Sequence, residues 1–109
     1  MDKFSALADP TRRQILELLA RRGRLPAAEI AAQFPVSAPA ISQHLKALQQ
    51  AGLVQVEKRA QQRIYRLSPG AMLELEDWAR QLRQMWTRRF DALDQVIENE
   101  KKRMKGETD

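Results

Sequence analysis

The 109-residue chain contains no cysteine. Disulfides, thiolate metal sites and cysteine nucleophiles are therefore excluded. A single histidine, His44, rules out the usual multi-histidine metal clusters. No apolar run reaches the ~18 residues of a membrane span. The first residues, MDKFSALADP, lack the hydrophobic stretch and small-residue cleavage site of an export signal. These absences predict a cytoplasmic protein. A Gly-rich phosphate loop, HExxH and GxSxG are missing too, and His44 stands between Gln43 and Leu45 with no acid nearby in sequence to orient it. The chain is expected to be no enzyme and to carry no cofactor.

What is present is 43% apolar and 30% charged. That fits a single domain over 1–109 with a core only marginally large for its length, which a second subunit would help. Lys and Arg number 19 against 14 Asp and Glu, a net of +5. The excess is uneven: residues 1–69 hold 11 basic and 5 acidic side chains, residues 70–109 hold 8 and 9. A polyanion partner would meet the front two-thirds.

Proline, glycine and apolar spacing predict the elements. A short helix around Phe4 and Leu7 stops at Asp9-Pro10. Asp9 and Pro10 then start a second helix, with Ile15, Leu18 and Leu19 inward and Gly23 at its end. Arg12, Arg13, Arg21 and Arg22 lie on or near its solvent side, as a solvated face or as phosphate contacts. Pro26 opens a third helix, PAAEIAAQF, broken at Pro35-Val36. Ser37 caps a fourth, over about 37–51, with Pro39 in the first turn and Gly52 as its left-handed stop. VQVEKR and RIYRL, joined through AQQ, predict a hairpin over about 54–67. A long helix follows over about 70–99, and the polar tail KKRMKGETD is expected to fray. The fold class is mainly α with a small β-hairpin, in the order α-α-α-α-β-β-α.

At 100° per residue, Ile41, Leu45 and Leu48 share one face of the fourth helix. Pro39, Gln43, Lys46 and Gln50 fall opposite, flanked by Ala40 and Ser42, with His44 nearer the boundary. The outer face has one cation and no acid. Such a surface suits the major groove, ~12 Å wide, where small residues permit close approach and Ser and Gln meet base edges. Glutamine can pair with adenine, lysine can meet guanine or phosphate, and a proline ring or alanine methyl can touch thymine. Lys58, Arg59, Arg63 and Arg66 crowd around a tip containing Gln61 and Gln62, so the hairpin can press cations against phosphates or the minor groove.

FSALADPTRRQILELL, the short third helix, VSAPAISQHLKALQQAGLV, a KR-containing hairpin and a terminal helix together resemble the ArsR-type winged helix-turn-helix repressors of bacteria. The likeness covers residues 3 to 97. It implies a homodimer joined by its first and last helices, binding double-stranded DNA at a partly palindromic operator and repressing by promoter occlusion. It implies that Pro39, Ala40, Ser42, Gln43 and Lys46 lie in or beside the groove, with His44 either at the groove or packed structurally; the expected DNA contacts are these with Ser37 and Ala38 at the helix start, and Lys58, Arg59, Gln61, Gln62 and Arg63 from the hairpin. Metal-responsive members carry a cysteine pair that would align with Pro26 and Ala28, or histidines and acids along the last helix. This chain has neither set, so no metal site is expected. Glu74, Glu76, Asp77, Asp91 and Asp94 read as solvated helix residues.

A last helix of ~30 residues spans ~45 Å, more than so small a domain covers alone. Trp78, Leu82, Met85, Trp86, Phe90 and Leu93, with Phe4 and Leu7, form the expected dimer interface. Capping of the monomer core by the tryptophans, or a pocket for an apolar ligand, are the other uses of that stripe. Its polar face mixes acids with bases, which disfavours a membrane surface. The sequence names no small-molecule inducer. The competing function is a winged-helix protein–protein interaction module without operator binding, since one fold hosts both uses.

Overall fold

Two aspartates open the first two helices. Asp2 accepts from the Ser5 N–H at 2.7 Å and Asp9 from the Arg12 N–H at 3.1 Å, each satisfying a backbone donor that a helix start leaves without a partner. A computed structural model describes residues 2–108, with side chains described for 2–105. The chain divides after Leu73 into two compact units.

In the first unit, α1 spans Lys3–Leu7 and α2 spans Pro10–Arg22. Arg13 donates from Nη1 to the Leu7 carbonyl at 2.6 Å, covering the end of α1. Gly23, at φ 86°, stops α2 in a backbone region that costs a side-chain-bearing residue energy. Next come β1 (Arg24–Pro26), α3 (Ala27–Ala32), α4 (Ala38–Gln50), β2 (Val54–Arg59) and β3 (Gln62–Leu67).

Strand β1 departs from the sequence expectation, which placed no strand before the hairpin and made Pro26 the opening of a longer third helix. Arg24–Pro26 pairs antiparallel with β3, giving a three-stranded sheet in the order β1-β3-β2 with Leu25 opposite Tyr65. Three residues are too few to display a period of two, and the partner strand lies far along the chain. Helix α3 is correspondingly short, six residues.

Ile15, Leu19, Ile30, Ile41, Leu45, Leu48 and Leu53 are the large side chains sealed from solvent, each worth ~1.5–3 kcal/mol of burial. Leu25 and Tyr65 add the inner face of the sheet. The end of α4 is fixed by a pair of backbone bonds, Leu53 N–H to Leu48 C=O at 2.9 Å and Gly52 N–H to Gln49 C=O at 3.0 Å, around Gly52 at φ 77°. This Schellman closure places buried Leu53 over buried Leu48 and turns the chain into β2. The result is a winged helix-turn-helix: α3 and α4 supply the helix pair and β2–β3 the wing.

Helix α5 spans Pro69–Thr108, and its part from Glu74 onward forms the second unit. At 40 residues it reaches about 60 Å. It continues through the tail that composition marked for fraying, since no glycine or proline intervenes before Gly106 and Arg103 pairs with Glu100 one turn back at 2.8 Å. Its large apolar side chains from Trp78 to Met104 are 44% to 61% exposed. Trp86 and Phe90 meet edge to face, ring centres 4.7 Å apart.

Candidate nucleic-acid interface

The outer face of α4 follows from how the helix begins. Ser37 Oγ accepts from the Ala40 N–H at 3.2 Å, and Pro39 occupies the first turn, where its missing N–H costs nothing. With Ile41, Leu45 and Leu48 inward, Ala38, Pro39, Ser42, Gln43, Lys46 and Gln50 are exposed, whereas Ala40 and His44 are half-buried. Ser37 is exposed as well, but its hydroxyl already serves the cap. No acidic residue occurs between Glu29 and Glu57, so no carboxylate on this stretch of chain repels a phosphate backbone.

His44 is held from behind. Arg12 Nε donates to His44 Nδ1 at 3.3 Å, which places the imidazole proton on Nε2. Asp9 Oδ1 lies 3.9 Å from the same Nδ1. The shorter contact from the guanidinium decides the arrangement, because one ring nitrogen cannot accept from Arg12 and donate to Asp9 together. Sequence position showed no acid near His44; the fold brings Asp9 there. The backbone N–H of Arg12 holds the Asp9 carboxyl below its ordinary value of 3.8, outweighing the opposing effect of burial. Neither Asp9 nor Arg12 was legible as a neighbour of His44, since the α2–α4 crossing is set by the core and not by local spacing.

In the wing, Lys58, Arg59, Gln61, Gln62 and Arg63 are all exposed, but the pleat sorts them. Lys58 lies opposite Arg63, and Arg59 opposite Gln62, so these pairs project on opposite faces of the ribbon. On the Arg59 face the cations have partners within the sheet: Arg59 Nε meets Glu57 Oε1 at 3.2 Å, Arg24 approaches Glu57 at 3.7 Å, and Arg66 Nε donates to Gln55 at 2.9 Å. On the other face Lys58 and Arg63 stand side by side, and among the described residues neither has an acidic partner. Like charges directly opposite destabilise a ribbon. The link between the strands is Ala60-Gln61, with Ala60 at φ 52°.

The residues expected at a dimer contact lie in both units. Phe4 is 49% exposed and Leu7 half-buried, while Trp78, Leu82, Met85, Trp86, Phe90 and Leu93 are exposed along α5. Among the described residues no helix is long and apolar enough to cross a membrane.

Residues 7–57 match the family model described as "Helix-turn-helix domain", the segment from the end of α1 into β2. The HTH-type transcriptional regulator Rv2034 of Mycobacterium tuberculosis is 42% identical over 97 residues, covering 89% of this chain and 87% of that protein. The transcriptional repressor SdpR of Bacillus subtilis is 39% identical over 75 residues, covering 69% of this chain and 82% of SdpR. Among solved structures, an ArsR-like transcriptional regulator from Rhodococcus sp. RHA1 superposes with a TM-score of 0.72 at 35% identity, covering 85% of this chain and 87% of that one. A homodimeric winged helix-turn-helix DNA-binding domain, Mb0332 of Mycobacterium bovis, gives 0.60 at 29% identity, covering 73% of each chain. The chain belongs to the ArsR family of winged helix-turn-helix transcriptional regulators.

Proposed function

We propose that this chain is a cytoplasmic, homodimeric repressor that occupies a partly palindromic operator through α4 and its wing and blocks the promoter there. The observation that carries this is the outer face of α4: Pro39, Ser42, Gln43 and Lys46 stand exposed on one side of a helix whose other side is sealed into the core. Ser42 and Gln43 meet base edges, Lys46 a guanine edge or a phosphate, and Pro39 with the alanines a thymine methyl. Lys58 and Arg63 face the phosphates, where an anionic partner relieves their mutual repulsion. Arg59, Gln61 and Gln62 border that contact.

A repressor acting by occlusion needs only tight, specific binding over a promoter, and the printed description of SdpR as a repressor supports that mode. The dimer is supported by the apolar stripe of α5 and by the homodimeric Mycobacterium bovis relative. The positions where metal-responsive members carry cysteines are Pro26 and Ala28 here, which supports a regulator that does not answer to thiophilic metals.

Selection of bound sites from random DNA, with gel shifts on the winners at two salt concentrations, tests this directly. The expected result is paired half-sites about one helical turn, ~34 Å, apart. Recovery of no preferred sequence, together with capture by a protein ligand, would favour the interaction-module function instead.

A further inference from the structure

Lysine is the minority cation of this chain: Lys3, Lys46, Lys58, Lys101, Lys102 and Lys105 are the six lysines among 19 basic side chains. Only lysine carries a nitrogen that acyl donors modify readily, since arginine stays protonated. Lys58 is set apart by its surroundings. It stands across from Arg63 in the β2–β3 ladder, which brings the two Cβ atoms to roughly 4.5–5.5 Å on one face of the ribbon. Both side chains are exposed. Glu57, the one carboxylate of the wing sequence 54–67, projects on the other face, where it meets Arg59 at 3.2 Å and Arg24 at 3.7 Å. Other exposed lysines lack this setting: α4 carries Lys46 but no arginine, and Lys101 and Lys102 lie one turn from Glu98 on α5.

A guanidinium holds two oxygens of a phosphate group at once. Beside Arg63, that leaves whatever the phosphate carries within reach of the Lys58 amine. We propose that Lys58 is an acylation site for small acyl phosphates, whose phosphate group Arg63 holds. The ammonium first gives one proton to water. Nζ then attacks the carbonyl carbon, the N–C bond forms, and the bond from that carbon to the bridging oxygen breaks with its electron pair leaving on inorganic phosphate. A second proton passes from nitrogen to solvent, and the product is a neutral amide.

Losing the ammonium acts on both states of the wing. The free protein sheds a like-charge pair, which stabilises the ribbon, while a phosphate contact is lost to DNA. Acylation thus shifts the chain away from DNA. That consequence rests on the function proposed above; the site itself rests on the register of the wing.

The test treats the full chain with acetyl phosphate, or with the uncharged ester N-hydroxysuccinimidyl acetate, and follows each lysine by peptide mass spectrometry. With acetyl phosphate at low salt, Lys58 is expected to react at least about threefold faster than Lys46, because a cationic patch concentrates an anion. Added salt narrows that gap, the uncharged ester shrinks it, and Arg63→Gln brings Lys58 down to the rate of Lys46. Equal rates at Lys58 and Lys46 with acetyl phosphate overturn the proposal. So does a gap that is as large with the uncharged ester or in Arg63→Gln, since exposure alone would then explain it. The selected operator duplex, once bound, is expected to slow acylation of Lys58 and not of Lys102. Fast acylation of Lys58 that the duplex leaves unchanged keeps the site and overturns the wing's contact with phosphates, so the two failures are told apart.

Discussion

The Nε–H of Arg12 donates to Nδ1 of His44 at 3.3 Å, joining α2 to α4 across 32 positions of sequence. This side-chain hydrogen bond ties α4 to the helix packed behind it. Removing either partner is expected to cost ~0.5–1.5 kcal/mol of stability. The costs of Arg12→Ala and His44→Ala should be less than additive in a double-mutant cycle. Nitrogen-15 spectra of the starting protein should show the His44 proton on Nε2. Additive costs, or a proton on Nδ1, would contradict the bond.

Gln43 and Ser42 lie on the exposed side of α4. Gln43→Ala and Ser42→Ala are each expected to weaken operator binding by ~1–3 kcal/mol while leaving non-specific DNA affinity unchanged. Fluorescence anisotropy on the selected operator and on a scrambled duplex separates the two effects. Undiminished operator affinity in both variants would place the groove contacts elsewhere.

Lys58 and Arg63 oppose each other in register, so function and stability should pull apart there. Arg63→Ala is expected to weaken operator and scrambled DNA alike and to lower the salt slope by about one. The same change should raise the stability of the free protein by a few tenths of a kcal/mol, since it removes a like-charge pair. Urea titration beside the anisotropy series reads both; a loss of stability would show that the pair is not repulsive.

Ala60 holds φ 52° at the first position of a two-residue hairpin link, a backbone region that costs an L-residue roughly 1–2 kcal/mol. Glycine adopts it freely. Ala60→Gly is expected to stabilise the protein by ~0.5–1 kcal/mol, seen as a rise of a few degrees in Tm, with DNA affinity unchanged. A fall in Tm would mean that the link is unstrained.

Much of this architecture was legible because it is locally encoded. Asp9 and Ser37 announce helix starts by side-chain type, Gly23 and Gly52 announce helix ends, and the alternation of VQVEKR and RIYRL announces the wing. The outer surface of α4 followed from spacing alone. What escaped was non-local. Strand β1 exists only because β3 offers it an edge, and the Asp9–Arg12–His44 junction exists only because the core crosses α2 over α4. The far end of α5 escaped for another reason: a lysine-rich tail looks frayed by composition, whereas here an Arg103–Glu100 contact and the absence of glycine or proline from 71 to 105 carry the helix onward.

Pairing of β1 with β3 also closes a loop of chain, and α3, α4 and β2 all lie inside it. A ladder only three residues long thus fastens both ends of that loop. A substitution that pried Leu25 from Tyr65 would loosen the whole loop without touching the outer face of α4.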